Sequence, residues 1–146
     1  MPRNSVAYDE DFFAWTQEQA RMLRDGDFSQ LDVENVAEEL ESMGRSDKRE
    51  LRSRLTQLIM HLLKWQYQPG FRSRSWTSTI GQQRDQVKEL LDESPSLRPT
   101  VTTELSRIYK SARINAANET GLSETTFPPT APYTAEQILS EDFLPE

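Results

Sequence analysis

The segment Arg49–Gln68 constrains the fold most strongly, because its apolar side chains repeat with the period of an α-helix. At about 100° per residue, these side chains fall within roughly half of the helical circumference. Such a stripe is too wide for a two-stranded coiled-coil seam, and the charged residues among it argue against a membrane span. We therefore expect a core helix that several other helices cover. The stripe consists of Leu51, Leu55, Leu58, Ile59, Leu62, Leu63 and Trp65.

Capping signals predict two helices before this one. The first begins near Asp9 or Asp11, whose side chains can accept hydrogen bonds from free amides, and it ends shortly before Gly26. The second begins after Asp32 and ends before Gly44, which takes the position after the last helical residue. We expect its inward face to consist of Val33, Val36, Ala37, Leu40 and Met43.

The core helix and the segments after it follow from further capping signals. Ser46 caps the core helix, and Pro69 ends it, because proline cannot continue the hydrogen-bond ladder. A fourth helix is expected over about residues 77–91, and a fifth from Ser94-Pro95 to about residue 117. Thr134 and Gln137 have capping-box spacing and predict a short final helix to about residue 140.

We therefore predict an all-α fold: a single-domain bundle of four to five main helices over residues 1–146, with an irregular C-terminal tail and a short final helix. Residues 1–8 form an N-terminal arm, and residues 118–146 form a tail that wraps the bundle. The tail contains Phe127 and Tyr133, which we expect to cover part of the bundle.

Composition narrows the functional classes. The chain has 146 residues, which suits one domain with one core, and it has no cysteine. A disulfide framework, a thiolate metal site and a cysteine nucleophile are thereby excluded. The start lacks a run of apolar residues of signal-peptide length, and no later segment is apolar for the length of a spanning helix. A cytoplasmic protein is the expectation.

Charge is distributed unevenly along the chain. The net charge is −7, but residues 1–44 sum to −8, residues 45–84 to +7 and residues 85–146 to −6. This asymmetry has two readings. Either the basic centre is a surface that binds nucleic acid, or the acidic helices lie beside it and neutralise its charge.

Four stretches together are similar to a known family. They are Glu38–Gly44, Leu62–Trp65, Ser73–Trp76 with Gln83-Arg84, and Pro132–Thr134. In this order they resemble a bacterial family catalogued only as domain of unknown function number twenty-nine, over about Tyr8 to the C-terminus. The resemblance implies a small, helical, cytoplasmic bacterial protein. It supplies no activity, cofactor or residue role.

His61, the only histidine, limits the enzyme readings. It lies at the border of the apolar stripe, and neither a nucleophile nor an orienting carboxylate accompanies it in sequence, so we assign no catalytic residue. We expect a structural histidine that is hydrogen-bonded at a helix interface. Among the acids of the second helix only Glu39 borders the buried side, which leaves Glu39 with His61 as the one polar site to consider. The Glu-x-x-His pattern of di-iron bundles is absent, so we predict no metal and no cofactor.

The basic centre is rich in aromatic residues as well as arginine. Arginine forks suit phosphate oxygens, and exposed aromatic rings stack on unpaired bases; the same side chains dominate protein-binding hot spots. A structural reading competes with both: the tryptophans lie in the core or a lid, and Arg49, Arg52 and Arg54 pair with Glu34, Glu38 or Glu41 across the second and third helices. The candidate binding residues are Trp65, Tyr67, Arg72, Arg74, Trp76 and Arg84.

We interpret the chain as a non-enzymatic helical module that binds another protein through this Arg/Trp-rich surface. One alternative is a nucleic-acid-associated regulatory protein that uses the basic segment 45–84. The second alternative is an enzyme or metal protein centred on His61.

Overall fold

The computed structural model describes residues 7–146, and within them the secondary structure is helical with no strand. The all-α prediction is confirmed. The chain forms two compact units, one that ends at Ser46 (unit 1) and one that runs from Asp47 to Glu146 (unit 2). Of the predicted arm, residues 1–6 lie outside the described part of the chain. The helices are α1 (Phe12–Asp25), α2 (Val33–Tyr67), α3 (Arg74–Glu93), α4 (Arg98–Thr103), α5 (Leu105–Thr120) and α6 (Ala135–Leu139).

Unit 1 contains α1, a turn and the first part of α2. Asp11 caps α1 by accepting a hydrogen bond of 3.0 Å from the backbone of Ala14, as the sequence predicts. The indole of Trp15 donates to Oδ2 of Asp32 at 3.0 Å, and Oε1 of Gln19 accepts from the Asp32 amide at 2.7 Å. These bonds tie α1 to the beginning of α2.

The second and third helices of the sequence prediction are one helix, α2, and the predicted break at Gly44 is wrong. Gly44 lies inside the helix without positive φ. A glycine within a helix costs only about 1 kcal/mol relative to alanine, and the good helix formers on both sides outweigh that cost. The predicted inward face of this part is also wrong, because Val33, Leu40 and Met43 are exposed.

Unit 2 is built around the second part of α2. Its apolar stripe is buried, as predicted, except that Trp65 is only half-buried. The remaining helices and the tail contribute the rest of the core. Its other fully buried members include Ile80, Val87, Leu91, Val101, Ile108, Tyr109, Ala112, Ala116, Phe127 and Ile138.

The later helices follow the predicted order with shifted ends. Ser73 caps α3 by accepting from the backbone of Trp76 at 3.3 Å, so α3 begins three residues before the predicted start. The predicted fifth helix is divided: a 3-10 turn at Pro95–Leu97 leads into α4, and α5 begins after Glu104. Proline at position 99 lies in the first turn of α4, where the missing amide is tolerated.

The tail returns across unit 2 through a few side chains. Phe127 and Tyr133 are buried, and the Tyr133 phenol donates to Oε1 of Gln66 at 2.7 Å. Thr134 and Gln137 form the predicted capping box at the start of α6. The predicted short final helix is thereby confirmed.

Candidate functional site

Trp65 and Arg72 contact each other at the end of α2. Cζ of Arg72 lies 4.7 Å from the centroid of the Trp65 ring, which is a cation–π contact. Nε of Arg72 donates to the Trp65 carbonyl at 2.8 Å, and its Nη2 donates to the Glu146 carbonyl at 2.8 Å. The guanidinium thus joins the end of α2 to the last residue of the chain, and only part of its fork faces solvent.

Trp76 and Tyr67 are also half-buried by contacts inside unit 2. Nζ of Lys64 lies 5.0 Å from the Trp76 ring centroid and pairs with Glu119 at 2.9 Å. Tyr67 meets the buried Phe127 edge to face, with 5.3 Å between the ring centroids. Both aromatic residues therefore contribute to packing, whatever else they bind.

Arg84 is almost fully buried, with 5% of its surface exposed. Nε donates to the Ile138 carbonyl at 2.8 Å and Nη2 donates to the Gln137 carbonyl at 3.2 Å. Burial lowers the pKa of the guanidinium, and the charge of Asp142 opposes that shift. Arg74, by contrast, is exposed at the start of α3. The candidate binding residues thus divide into contacts at the end of α2, the exposed Arg74 and a separate anchor for α6.

Most cations of the segment 45–84 have acidic partners. Arg45 pairs with Glu38 at 2.6 Å, and Arg54 pairs with Glu50 at 2.8 Å on the same helix. The predicted pairing of Arg52 and Arg54 with Glu34, Glu38 or Glu41 is wrong, because all of these residues belong to α2 rather than to two adjacent helices.

Glu104 takes the place of those acids. It lies 3.2 Å from Lys48 and 3.3 Å from Arg52. Burial pushes the pKa of the Glu104 carboxyl up, but the hydrogen bond from Lys48 and the charges of Lys48 and Arg52 outweigh it and hold the pKa below its ordinary value. Five of the nine cations of the basic segment thus have acidic partners among the described residues, which favours the structural reading over a phosphate footprint.

The two residues of the possible polar site each have a local partner. Nδ1 of His61 lies 2.9 Å from the Gln57 carbonyl one turn earlier, so this nitrogen carries the proton in that bond. In unit 1, Glu39 accepts a hydrogen bond from the Tyr8 phenol, and that bond raises the pKa of Tyr8. Within residues 7–146, no group of three or more histidine or acidic residues is placed to hold a metal ion.

A different surface, which the sequence analysis assigned to the core, is exposed in unit 1. The side chains of Val33, Leu40 and Met43 are 60%, 63% and 65% exposed. At about 100° per residue they lie within roughly 80° of one another on α2, and we call them the apolar row. The other exposed large apolar residues of unit 1 are Phe12, Phe13, Leu23 and Phe28.

The helices of residues 7–146 include none with the length and apolar character needed to cross a membrane. A family model described as "Domain of unknown function DUF29" matches residues 7–144, nearly the whole chain, so this protein belongs to that family. Searches of curated proteins and of solved structures found no match.

Proposed function

We propose that this chain is a non-enzymatic protein-binding module that uses the exposed apolar surface of unit 1 to bind a basic amphipathic helix of another protein. The carrying observation is the apolar row, whose three large side chains lie mostly in solvent on one face of α2. A solitary exposed apolar residue needs no explanation, but a helical face of them is typical of a partner site.

The spacing of the row suits a helical partner. Leu40 and Met43 are three residues apart, and Val33 precedes Leu40 by two turns. Ala37 and Gly44 lie on the same face and are small, so a partner helix can approach the backbone closely between the larger side chains. A second amphipathic helix laid along this face would bury all three large side chains.

The small interior of unit 1 also favours a partner. Among its described residues, only Trp15, Gln19 and Met22 are buried, and the unit has no cysteine to cross-link it. Segments of about 40 residues usually need a disulfide, a metal or association with another chain to gain enough buried surface. Covering the apolar row supplies that surface.

Charge decides between a second copy of this chain and a different partner. Residues 7–46 carry 11 acidic and 3 basic residues, a net charge of −8. Two such units face to face repel each other, whereas a basic helix is attracted. Glu34 and Glu41 are exposed and lie on α2 at roughly 80–100° from Val33, where they flank the apolar row. They suit lysine or arginine side chains at the edge of a bound helix.

The test uses two helical peptides of about 18 residues, long enough for four to five turns. One peptide has leucine on one helical face and lysine on the opposite face. The other peptide has glutamate in place of each lysine. The proteins are the wild type, the double variant Leu40→Ser with Met43→Ser, and the control Phe71→Ser. Phe71 is 68% exposed and lies in unit 2, so the control removes one large exposed apolar side chain elsewhere.

We expect the wild type to bind the lysine peptide and not the glutamate peptide by isothermal titration calorimetry. The double variant should bind it at least roughly tenfold more weakly, since two interface side chains are truncated, while Phe71→Ser binds normally. Equal loss in the control, or equal binding of both peptides, would contradict the proposal. So would a stable dimer in light scattering that the double variant converts to monomer, because a second copy would then be the partner.

A further inference from the structure

We infer that unit 2 also contains a binding pocket for a small organic anion with an apolar body. The pocket lies between α5 and the tail, and its volume is about 520 Å³. That volume is within the range of about 300–1,000 Å³ found for small-molecule sites. The pocket belongs to unit 2 alone, so the inference holds whether or not unit 1 binds a partner.

One part of the pocket wall is apolar. It is formed by Leu105 and Tyr109 of α5 and by Pro129 and Ala131 of the tail. The Tyr109 phenol donates to the Pro128 carbonyl at 2.6 Å, and burial raises its pKa to about 12, so this side chain is neutral at physiological pH. Tyr109 therefore adds no charge to the pocket wall, and only 2% of its surface is exposed.

Two cations line the pocket, and neither is strongly neutralised. Lys110 has no ion-pair or hydrogen-bond partner among residues 7–146. Among residues 7–146, Arg113 has one ion-pair partner, Glu124, at 3.5 Å, and that carboxylate is half exposed. Because the Glu124 carboxylate is solvated and the distance is long, this pair is weak, and a ligand anion can compete with Glu124 for the guanidinium. Of the described residues, Glu124 is the one acid that lines the pocket.

Arg113 also has an unsatisfied donor. Its Nη2 donates to the Phe127 carbonyl at 3.1 Å, but its buried Nε has no hydrogen-bond partner in the described part of the chain. Native proteins rarely leave a buried donor unpaired, and each case calls for an explanation. The contacts within residues 7–146 thus use only part of the donor capacity of the Arg113 guanidinium. Ser106 and Thr130 add hydroxyl groups to the lining.

The probes are hexanoate, 1-hexanol and hexylammonium, which share a chain and differ in charge. Binding is followed by chemical-shift changes of backbone amides in the full chain. The variants are Lys110→Gln, which removes a pocket cation, and Ser106→Trp, which fills the pocket from an exposed position. The matched control is Arg107→Gln, which removes an equal charge from an exposed residue of α5 that does not line the pocket.

We expect hexanoate to give saturable shifts at Leu105, Tyr109 and Ala131, and hexylammonium to give none. Lys110→Gln should weaken hexanoate binding up to about fivefold, as removal of one partly exposed charge does. Ser106→Trp should abolish it and Arg107→Gln should leave it unchanged. The inference is overturned if hexanol binds as tightly as hexanoate, if Arg107→Gln weakens binding as much as Lys110→Gln, or if the shifts do not cluster at the pocket.

Discussion

Nε of Arg84 donates a hydrogen bond of 2.8 Å to the backbone carbonyl of Ile138, a residue 54 positions later in the chain. With the second bond, to the Gln137 carbonyl, this side chain holds the last turn of α6 against α3. The last carbonyls of a helix lack partners within it, and a cation near that end is favourable. Arg84 therefore explains how a helix of five residues is fixed to the bundle.

Replacing Arg84 by alanine should destabilise the protein by about 2–4 kcal/mol, because charge-assisted bonds to two carbonyls are lost and the bond to the Ile138 carbonyl is buried. Urea unfolding measures the loss, and hydrogen exchange should show α6 opening first. Arg74→Ala is the control: Arg74 is exposed, so its loss should be within about 0.5 kcal/mol. Equal losses for the two arginines would mean that Arg84 is not the anchor of α6.

Truncation within the apolar stripe tests the orientation of α2 in unit 2. Leu58 and Leu62 are fully buried, so Leu58→Ala or Leu62→Ala should each cost roughly 2–5 kcal/mol. Glu41 is exposed, and Glu41→Ala should cost well under 1 kcal/mol. Thermal unfolding compares the three variants. Equal shifts in melting temperature would show that the assigned inward face is wrong.

The helix ends that were predicted correctly from the sequence are those fixed by hydrogen bonds between residues close together in the chain. Asp11 at α1 and Thr134 with Gln137 at α6 each bond to amides three positions away. Such signals are present in the sequence because both partners are neighbours in it. The bond from Arg72 to the carbonyl of Glu146 spans 74 residues, and no local pattern indicates it.

The candidate surfaces were harder to predict for a different reason. An apolar face such as that of Leu40 and Met43 has the same pattern whether the chain's own helices or another molecule cover it. The pocket cations Lys110 and Arg113 are separated by three residues on α5, but the tail that completes the pocket comes from residues 124–131. Only the fold brings these parts together.

Because α2 is continuous at Gly44, replacing Gly44 or Gly121 by alanine should change the free energy of unfolding in opposite directions. A Cβ at Gly44 would meet no atom within 4 Å, so Gly44→Ala should stabilise the protein by about 0.5–1 kcal/mol. Gly121 has a φ of 76°, and Gly121→Ala should destabilise it because a side chain strains that conformation. Urea unfolding gives both signs. If Gly44→Ala destabilised the protein, that result would contradict a continuous α2 and support the helix end predicted at Gly44.

Alkaline pH should destabilise unit 2 through Tyr109. Burial disfavours the phenolate and raises its pKa from 10.0 to about 12, while the charge of Arg113 opposes the shift. Because the folded-state pKa is the higher one, the stabilisation is present in full below pH 10.0 and is lost as the pH rises through about 12. At most roughly 2–3 kcal/mol is lost by this route.

The measurement is the free energy of unfolding in urea between about pH 8 and about pH 12 for the wild type and for Tyr109→Phe. The variant should begin less stable, since the bond to the Pro128 carbonyl is gone, but its stability should fall less steeply with pH. Tyr133 is also buried, and its pKa is raised for the same reason, so part of the alkaline loss remains in the variant. Parallel curves for the two proteins would show that the Tyr109 phenol does not titrate with unfolding.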